Sequence, residues 1–302
     1  MKKKIAVGSI SFLIVGLGWY LFIKKYDYKV SFKEKTASSI LFDAIKIWGD
    51  DLNNKTDYQV TTEKDSLFSE IKQYIKKKDS SYVLNWKINF LNDSLSSVNV
   101  YVSEKNNSLK NRLLIPFSEA PIEKYAVNTI TKFIKTFRNY QKTFKVQING
   151  KDSIPSAFCA CKSVSTLQKD KAAKMLLANS DIMMFIRKNN LKLKGKPYLQ
   201  ITSWNSETEK IAFDFCFPIN KTDSLVDSDS IFYKQIKSIP ALKVTYHGNY
   251  RYSDRTWNYL VNYAHRKNIK IKKLPVELFF NDPQQGGQEL DWKAEVFMPI
   301  EE

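Results

Sequence analysis

The feature that most constrains this chain lies in its C-terminal half, where the same four signals occur twice in the same order. "IPSAFCACKS", "DKAAKMLLANSDIMMFIRKNN", "GKPYLQITSW" and "KIAFDFCFPI" are followed by "IPALKVTYHGNY", "SDRTWNYLVNYAHRKN", "LPVELFFNDP" and "DWKAEVFMPI". Each set reads as a strand, an amphipathic helix and two further strands. Ile-Pro opens the copies at 154 and 239, and Pro-Ile closes them at 218 and 299, so the units, about 154–219 and 239–300, are of nearly equal length. Four ordered landmarks at matched spacing predict a duplicated unit, (βαββ)2, with pseudo-twofold symmetry. In the second helix Trp257, Leu260, Val261 and Ala264 recur at three- and four-residue steps, which places one face against a sheet.

Two such units join edge to edge with their helices on one side, leaving a sheet face or the seam between copies for a ligand. One residue resists a purely structural reading. In "KKLPVELFFNDP" the acid Glu277 interrupts Val276, Leu278, Phe279 and Phe280. A carboxylate there either points to water from the pleat's outer face or sits in a cavity where its charge is used. Counting from Pro197 as from Pro275, its counterpart in the first copy is Leu199, so the symmetry breaks at this position. Alternation gives Phe279 the same facing as Glu277.

"IPALKVTYHGNY", the "LPVELFFNDP" strand and turn, and the terminal "AEVFMPI" resemble the GyrI-like, or AraC-type effector-binding, small-molecule-binding domain over residues 150–302. The resemblance implies an aromatic-walled cavity between the repeats for a hydrophobic, aromatic or cationic molecule. It also implies a buried glutamate on the strand before "NDP", here Glu277. Members resembling hydrolases carry a tyrosine where this chain has Phe279, so the wall is kept and the hydroxyl lost. Further wall candidates are Tyr246, Tyr250, Tyr252, Trp257, Trp292 and, from the first repeat, Trp204; the alternative for each is ordinary core. An unpartnered cavity acid would make Glu277→Gln neutral or stabilising. His247-Gly248 reads as a turn after a strand, without a serine-histidine-acid trio.

Residues 26–149 carry signals for a strand ("YKVSFKEK"), a capped helix ("TASSILFDAIKIWGDDL"), consecutive strands ("SYVLNWKINFLND", "SSVNVYVSEK", "NRLLIPF") and a long helix with Tyr125, Ile130, Phe133 and Phe137 on its apolar face. That order is similar to the helix-grip (START-like, SRPBCC or polyketide-cyclase-like) fold, which implies an antiparallel sheet gripped by the last helix over an apolar pocket. A polar loop at "INGKDS" is expected to divide the two domains.

The uncharged stretch "IAVGSISFLIVGLGWYLFI", residues 5–23, lies between Lys2–Lys4 and Lys24-Lys25, with Trp19 and Tyr20 near its end. Its length predicts an uncleaved transmembrane anchor over residues 1–25 of a single-pass membrane protein. By the common bacterial arrangement the bulk of the chain would lie outside the cytoplasmic membrane. The complete fold expectation is therefore α+β: a transmembrane helix, a helix-grip antiparallel domain and a (βαββ)2 domain.

The net charge of +17 is spread evenly, with 22 Lys+Arg against 14 Asp+Glu in residues 24–150 and 23 against 17 in residues 151–302. No patch or helix-turn-helix signal argues for nucleic acid, and "KKK" at 76–78 reads as a solvated helix end. Cys159, Cys161 and Cys216 are an odd set without CxxC spacing. They are read as buried hydrophobes, with Cys159–Cys161 as a redox pair in the alternative, and not as a disulfide framework or a metal site. No cofactor motif is present. The sequence predicts a membrane-anchored protein that binds a small molecule. The alternative is a hydrolase or isomerase of an electrophilic substrate with Glu277 as general acid or base, and a structural envelope protein stands third.

Overall fold

The computed structural model describes residues 2–66, 68–221 and 225–301; the side chains of residues 2–7, 10, 64 and 65 lie outside that set. The chain divides into two compact units, Met1–Arg138 and Asn139–Glu302. Among the described residues the strands form two sheets, all strand pairs antiparallel, so the fold is mixed α+β.

The expected membrane anchor is not upheld. Helix α1, Lys2–Gly18, gives way to a π-helical turn, Trp19–Ile23. Its uncharged part, Ile5–Gly18, rises roughly 21 Å at 1.5 Å per residue, short of the ~30 Å hydrocarbon core of a bilayer. Arg112 also donates a hydrogen bond to the carbonyl of Leu21 at 2.9 Å, tying the end of the apolar run to the chain's own polar network. Among the described residues no helix is long and apolar enough to cross a membrane. The single-pass assignment, and with it the placement of the bulk outside the cytoplasmic membrane, is withdrawn.

In the first unit, β1 (Tyr28–Glu34) and α2 (Ser38–Asn53) precede four strands, β2 (Tyr58–Ser66), β3 (Glu70–Lys77), β4 (Ser80–Asn92) and β5 (Leu95–Glu104), then α3 (Ser108–Leu114) and α4 (Pro121–Gln141). The sheet order is β1-β5-β4-β3-β2. Alternate residues Leu84, Trp86 and Ile88 of β4, Ile71 and Ile75 of β3, and Val98, Val100 and Val102 of β5 are buried together with Leu41 and Ile45 of α2 and Ile130, Phe133 and Phe137 of α4. The Trp86 ring lies 5.0 Å from Phe133 and 5.8 Å from Trp48, and its indole N–H donates to Gln73 at 2.9 Å.

Two readings change here. The lysines at 76 and 77 end a strand, and Lys78 makes the turn with φ +53°. The segment read as the strand "NRLLIPF" instead begins within α3, because Arg112 and Asn111 serve buried carboxylates. Asp27 accepts from Arg112 at 2.9 Å and from Ser108, while Glu104 accepts from Asn111 at 2.9 Å.

The second unit starts with β6 (Phe144–Ser153), which pairs with β11 and replaces the polar loop expected at "INGKDS". The first repeat is β7 (Ala157–Leu167), α5 (Lys171–Lys188), β8 (Tyr198–Asn205) and β9 (Lys210–Pro218). After β10 (Phe232–Ile236), the second is β11 (Pro240–Gly248), α6 (Arg255–Arg266), β12 (Val276–Phe279) and β13 (Lys293–Pro299). The order β10-β7-β9-β8-β12-β13-β11-β6 sets the repeats back to back, joined by β8 and β12. In β7 and β9, Cys161 stands opposite Cys216, and the two form a disulfide with Cα atoms 4.1 Å apart. The expectation of three unlinked cysteines therefore fails; Cys159 alone remains a buried free thiol. The pairing follows from the strand register, which cysteine spacing in the sequence does not disclose.

Candidate functional site at the seam between the repeats

Glu277 sits at the pseudo-twofold seam. In β12 it pairs with Leu199 of β8 on one side and Val296 of β13 on the other, so it faces its own symmetry counterpart across the seam. Val276 and Leu278 point into a core shared with Cys159, Cys161, Cys216 and Tyr198. Pleating then turns Glu277 to the opposite face, where side chains of both repeats' helices meet it. It is 0 % exposed, which rejects the reading in which it points to water.

The carboxylate is fully engaged by the chain itself. One oxygen accepts from the Trp257 indole N–H at 2.7 Å and the other from the Ser253 hydroxyl at 2.7 Å. Both lie 3.2 Å from the Lys171 ammonium, which also donates to Ser253 at 2.8 Å and stands 5.3 Å from the Trp257 ring centre. Lys171 opens α5 in the first repeat, whereas Ser253 and Trp257 flank the start of α6 in the second. Burying an ammonium is costly, and the start of a helix carries the positive end of its dipole. Lys171 is held there against both penalties by Glu277, Ser253 and the Asp254 carboxylate at 3.9 Å.

A partly exposed rim covers this buried group. Gln168 donates to Asp254 at 2.7 Å and accepts from the Trp204 indole N–H at 3.2 Å. Trp204, Gln168 and Asp254 are half-buried, and the Trp204 ring meets Trp257 edge-on at 5.2 Å.

Of the candidates chosen from the sequence, Glu277, Trp257 and Trp204 thus come together. Tyr250, Phe279 and Trp292 form a second aromatic group, with the Tyr250 ring 4.8 Å from Phe279 and 5.8 Å from Trp292. The Tyr250 hydroxyl donates to the Lys293 carbonyl at 2.7 Å. Tyr246 packs beside Phe144 and donates to the Asn249 carbonyl at 2.9 Å. Burial raises the phenol pKa of both tyrosines above the ordinary value. Tyr252 stands apart from both groups, under the Arg255 guanidinium at 4.3 Å.

Lys171, Ser253, Asp254 and Gln168 were not among those candidates. One signal could have found the lysine: Asp170-Lys171 and Asp254-Arg255 occupy the same place in the two repeats, just where each helix begins. A cation at both helix starts is unexpected on dipole grounds and marks the position. Among the described residues no cluster of three or more His, Cys, Asp or Glu could hold a metal ion.

Residues 178–301 match the family model for the GyrI-like small molecule binding domain. Among solved structures, the EcmrR C-terminal domain is similar with 15% identity and a TM-score of 0.45, covering 53% of this chain and 98% of its own. A structure of SAV2435 bound to tetraphenylphosphonium is similar with 10% identity and a TM-score of 0.36, covering 52% and 93%. A hydrolase encoded by lin2189 from Listeria innocua follows with 8% identity and a TM-score of 0.32, covering 56% and 98%. No curated protein matches the chain.

Proposed function

We propose, from the premise that residues 178–301 are a GyrI-like small molecule binding domain, that the second unit binds a hydrophobic, aromatic molecule at the mouth of the seam between its repeats. The observation that carries this reading is the buried group around Glu277 beneath a half-exposed aromatic rim. An apolar core of the same volume would be as stable as, or more stable than, a buried ion pair at a helix start. Retaining the ion pair at the junction of two repeats supports a role in binding and orientation. Trp204 supplies a large ring face at the entrance, Gln168 a side-chain amide that can exchange its partners for those of a ligand, and Asp254 a carboxylate acceptor. The Glu277 oxygens have their partners within the chain, which favours binding over acid-base chemistry at that carboxylate.

Native mass spectrometry of the full chain, purified without denaturation, tests the proposal. The expected result is a non-covalent adduct with a small apolar molecule that is lost on unfolding and reduced in Trp204→Ala. A bare chain mass, unchanged by incubation with neutral aromatic compounds, contradicts it.

A further inference from the structure

We infer that Lys171 is a built-in occupant of the cation half of this site: its side chain fills the place an organic ammonium would take, and so sets the specificity of the native chain against cations. The inference rests on the seam being a binding site and adds which ligands it refuses. Four contacts carry it. The Lys171 ammonium has the Glu277 carboxylate oxygens at 3.2 Å, the Ser253 hydroxyl at 2.8 Å, the Trp257 ring at 5.3 Å and the Asp254 carboxylate at 3.9 Å. A carboxylate, a hydroxyl acceptor and an indole face around one ammonium are the elements by which proteins recognise amine ligands.

The lysine also reaches this place from outside the second repeat. Glu277, Ser253, Asp254 and Trp257 all belong to that repeat, whereas Lys171 is inserted by the first. The equivalent Arg255 is used differently, lying over the rings of Tyr140 at 4.0 Å and Tyr252 at 4.3 Å. Lys171 therefore enters the second repeat's acid site as a tethered ligand enters a receptor. With Lys171 in place, one cation faces two carboxylates; without it, the ion pairs it makes with Glu277 and Asp254 are lost and the space of its side chain opens beside both carboxylates. Truncation to alanine removes three methylenes and the ammonium, which is the volume and charge of n-propylammonium.

The experiment is complementation of the full chain by that amine. Native protein should show no rise in Tm with n-propylammonium beyond that given by an equal concentration of sodium chloride. Lys171→Ala should melt lower than native and recover a few degrees with n-propylammonium at ~100 times its Kd, but not with 1-propanol. Lys171→Ala with Glu277→Gln should not respond to the amine. Should the alanine variant be unfolded on its own, return of its circular dichroism with the amine and not with the alcohol supports the inference equally. It is overturned by an alanine variant that neither stabilises nor refolds with the amine, or by a native chain that responds as strongly. Binding of neutral N-phenyl-1-naphthylamine to native protein, measured alongside, separates the two levels. Its absence with the amine response intact rejects the proposed aromatic ligand and leaves the Lys171 assignment standing; its presence without an amine response does the reverse.

Discussion

Replacing Glu277 by glutamine turns one buried carboxylate oxygen into an NH2 group and removes the charge, and its effect can be worked from the contacts. In the native chain one oxygen serves Trp257 and the other Ser253, and both serve the Lys171 ammonium. A glutamine keeps one acceptor and introduces an NH2 donor. Placed toward Ser253 the new donor can be tolerated, because that hydroxyl can donate instead to the Tyr250 carbonyl at 2.9 Å. The charge cannot be replaced: Lys171, 0 % exposed, is left with the Asp254 carboxylate at 3.9 Å as its ion-pair partner and the Ser253 hydroxyl at 2.8 Å. Removing one partner of a buried pair costs ~3–5 kcal/mol. For a unit of this size each kcal/mol moves Tm by about 2–4 °C, so the second unit should melt roughly 6–20 °C lower. Differential scanning calorimetry of the full chain reads this directly. Adding Lys171→Met to Glu277→Gln should restore most of the loss, because a neutral pair of similar shape leaves no buried charge. An unchanged or higher Tm in Glu277→Gln alone would refute the paired-carboxylate reasoning.

Further outcomes follow from single positions. Gly248 has φ +148°, and a Cβ there would lie 2.7 Å from the Tyr246 hydroxyl and 2.9 Å from the Phe144 Cβ, so Gly248→Ala should lower stability by ~1–3 kcal/mol in urea unfolding. The Cys161–Cys216 disulfide closes a loop with a sequence separation of 55, worth about 4 kcal/mol in the chain-entropy view, so Cys161→Ser with Cys216→Ser should reduce the second unit's stability by up to that amount. Urea titration checks it, and a double variant as stable as native would count against the disulfide. Burial pushes the Cys159 thiol and the Tyr198 phenol up to about 12. Both groups hold their protons longer when folded, so their contribution is complete below pH ~9 and is lost as the pH climbs through the unfolded values toward 12. Tm measured from pH 8 to 11.5 should therefore fall with increasing steepness, and Cys159→Ala should delay the onset.

The sequence reveals the second unit better than the first for a physical reason. Duplication prints the same strand and helix periods twice, so Ile154–Ile219 and Ile239–Ile300 support one another's assignment. The first unit has no such second copy. Its strands β2 and β3 are rich in Lys, Glu, Gln and Thr, and only one face of β3 is apolar, at Ile71 and Ile75. The segment around Arg112 carries apolar residues that read as a strand, and its helix depends on the partners Asp27 and Leu21, which lie far away in sequence. The same limit applies at the seam. Glu277 stands out because an acid interrupts an apolar run, but that pattern does not disclose its partner. Lys171 is 106 residues away and looks like any lysine at the start of an amphipathic helix. The predicted cavity acid is thus buried as expected but paired within the chain, which reverses the stability expected for Glu277→Gln. The nineteen uncharged residues at 5–23 show the opposite error: composition alone suggests a span, while the change from α-helix to a π-helical turn at Trp19 shortens the regular helix.

The central claim is that an aromatic molecule binds at the mouth of the seam, with the half-buried Trp204 as its aromatic wall. Fluorescence titration of the full chain with N-phenyl-1-naphthylamine, native against Trp204→Ala, measures it most directly. Loss of a tryptophan that packs on a bound ligand costs on the order of 2 kcal/mol, so the variant should bind more than tenfold more weakly while its circular dichroism stays that of the native chain. Equal dissociation constants for the two proteins, or no binding to native protein at all, would contradict the assignment of this site.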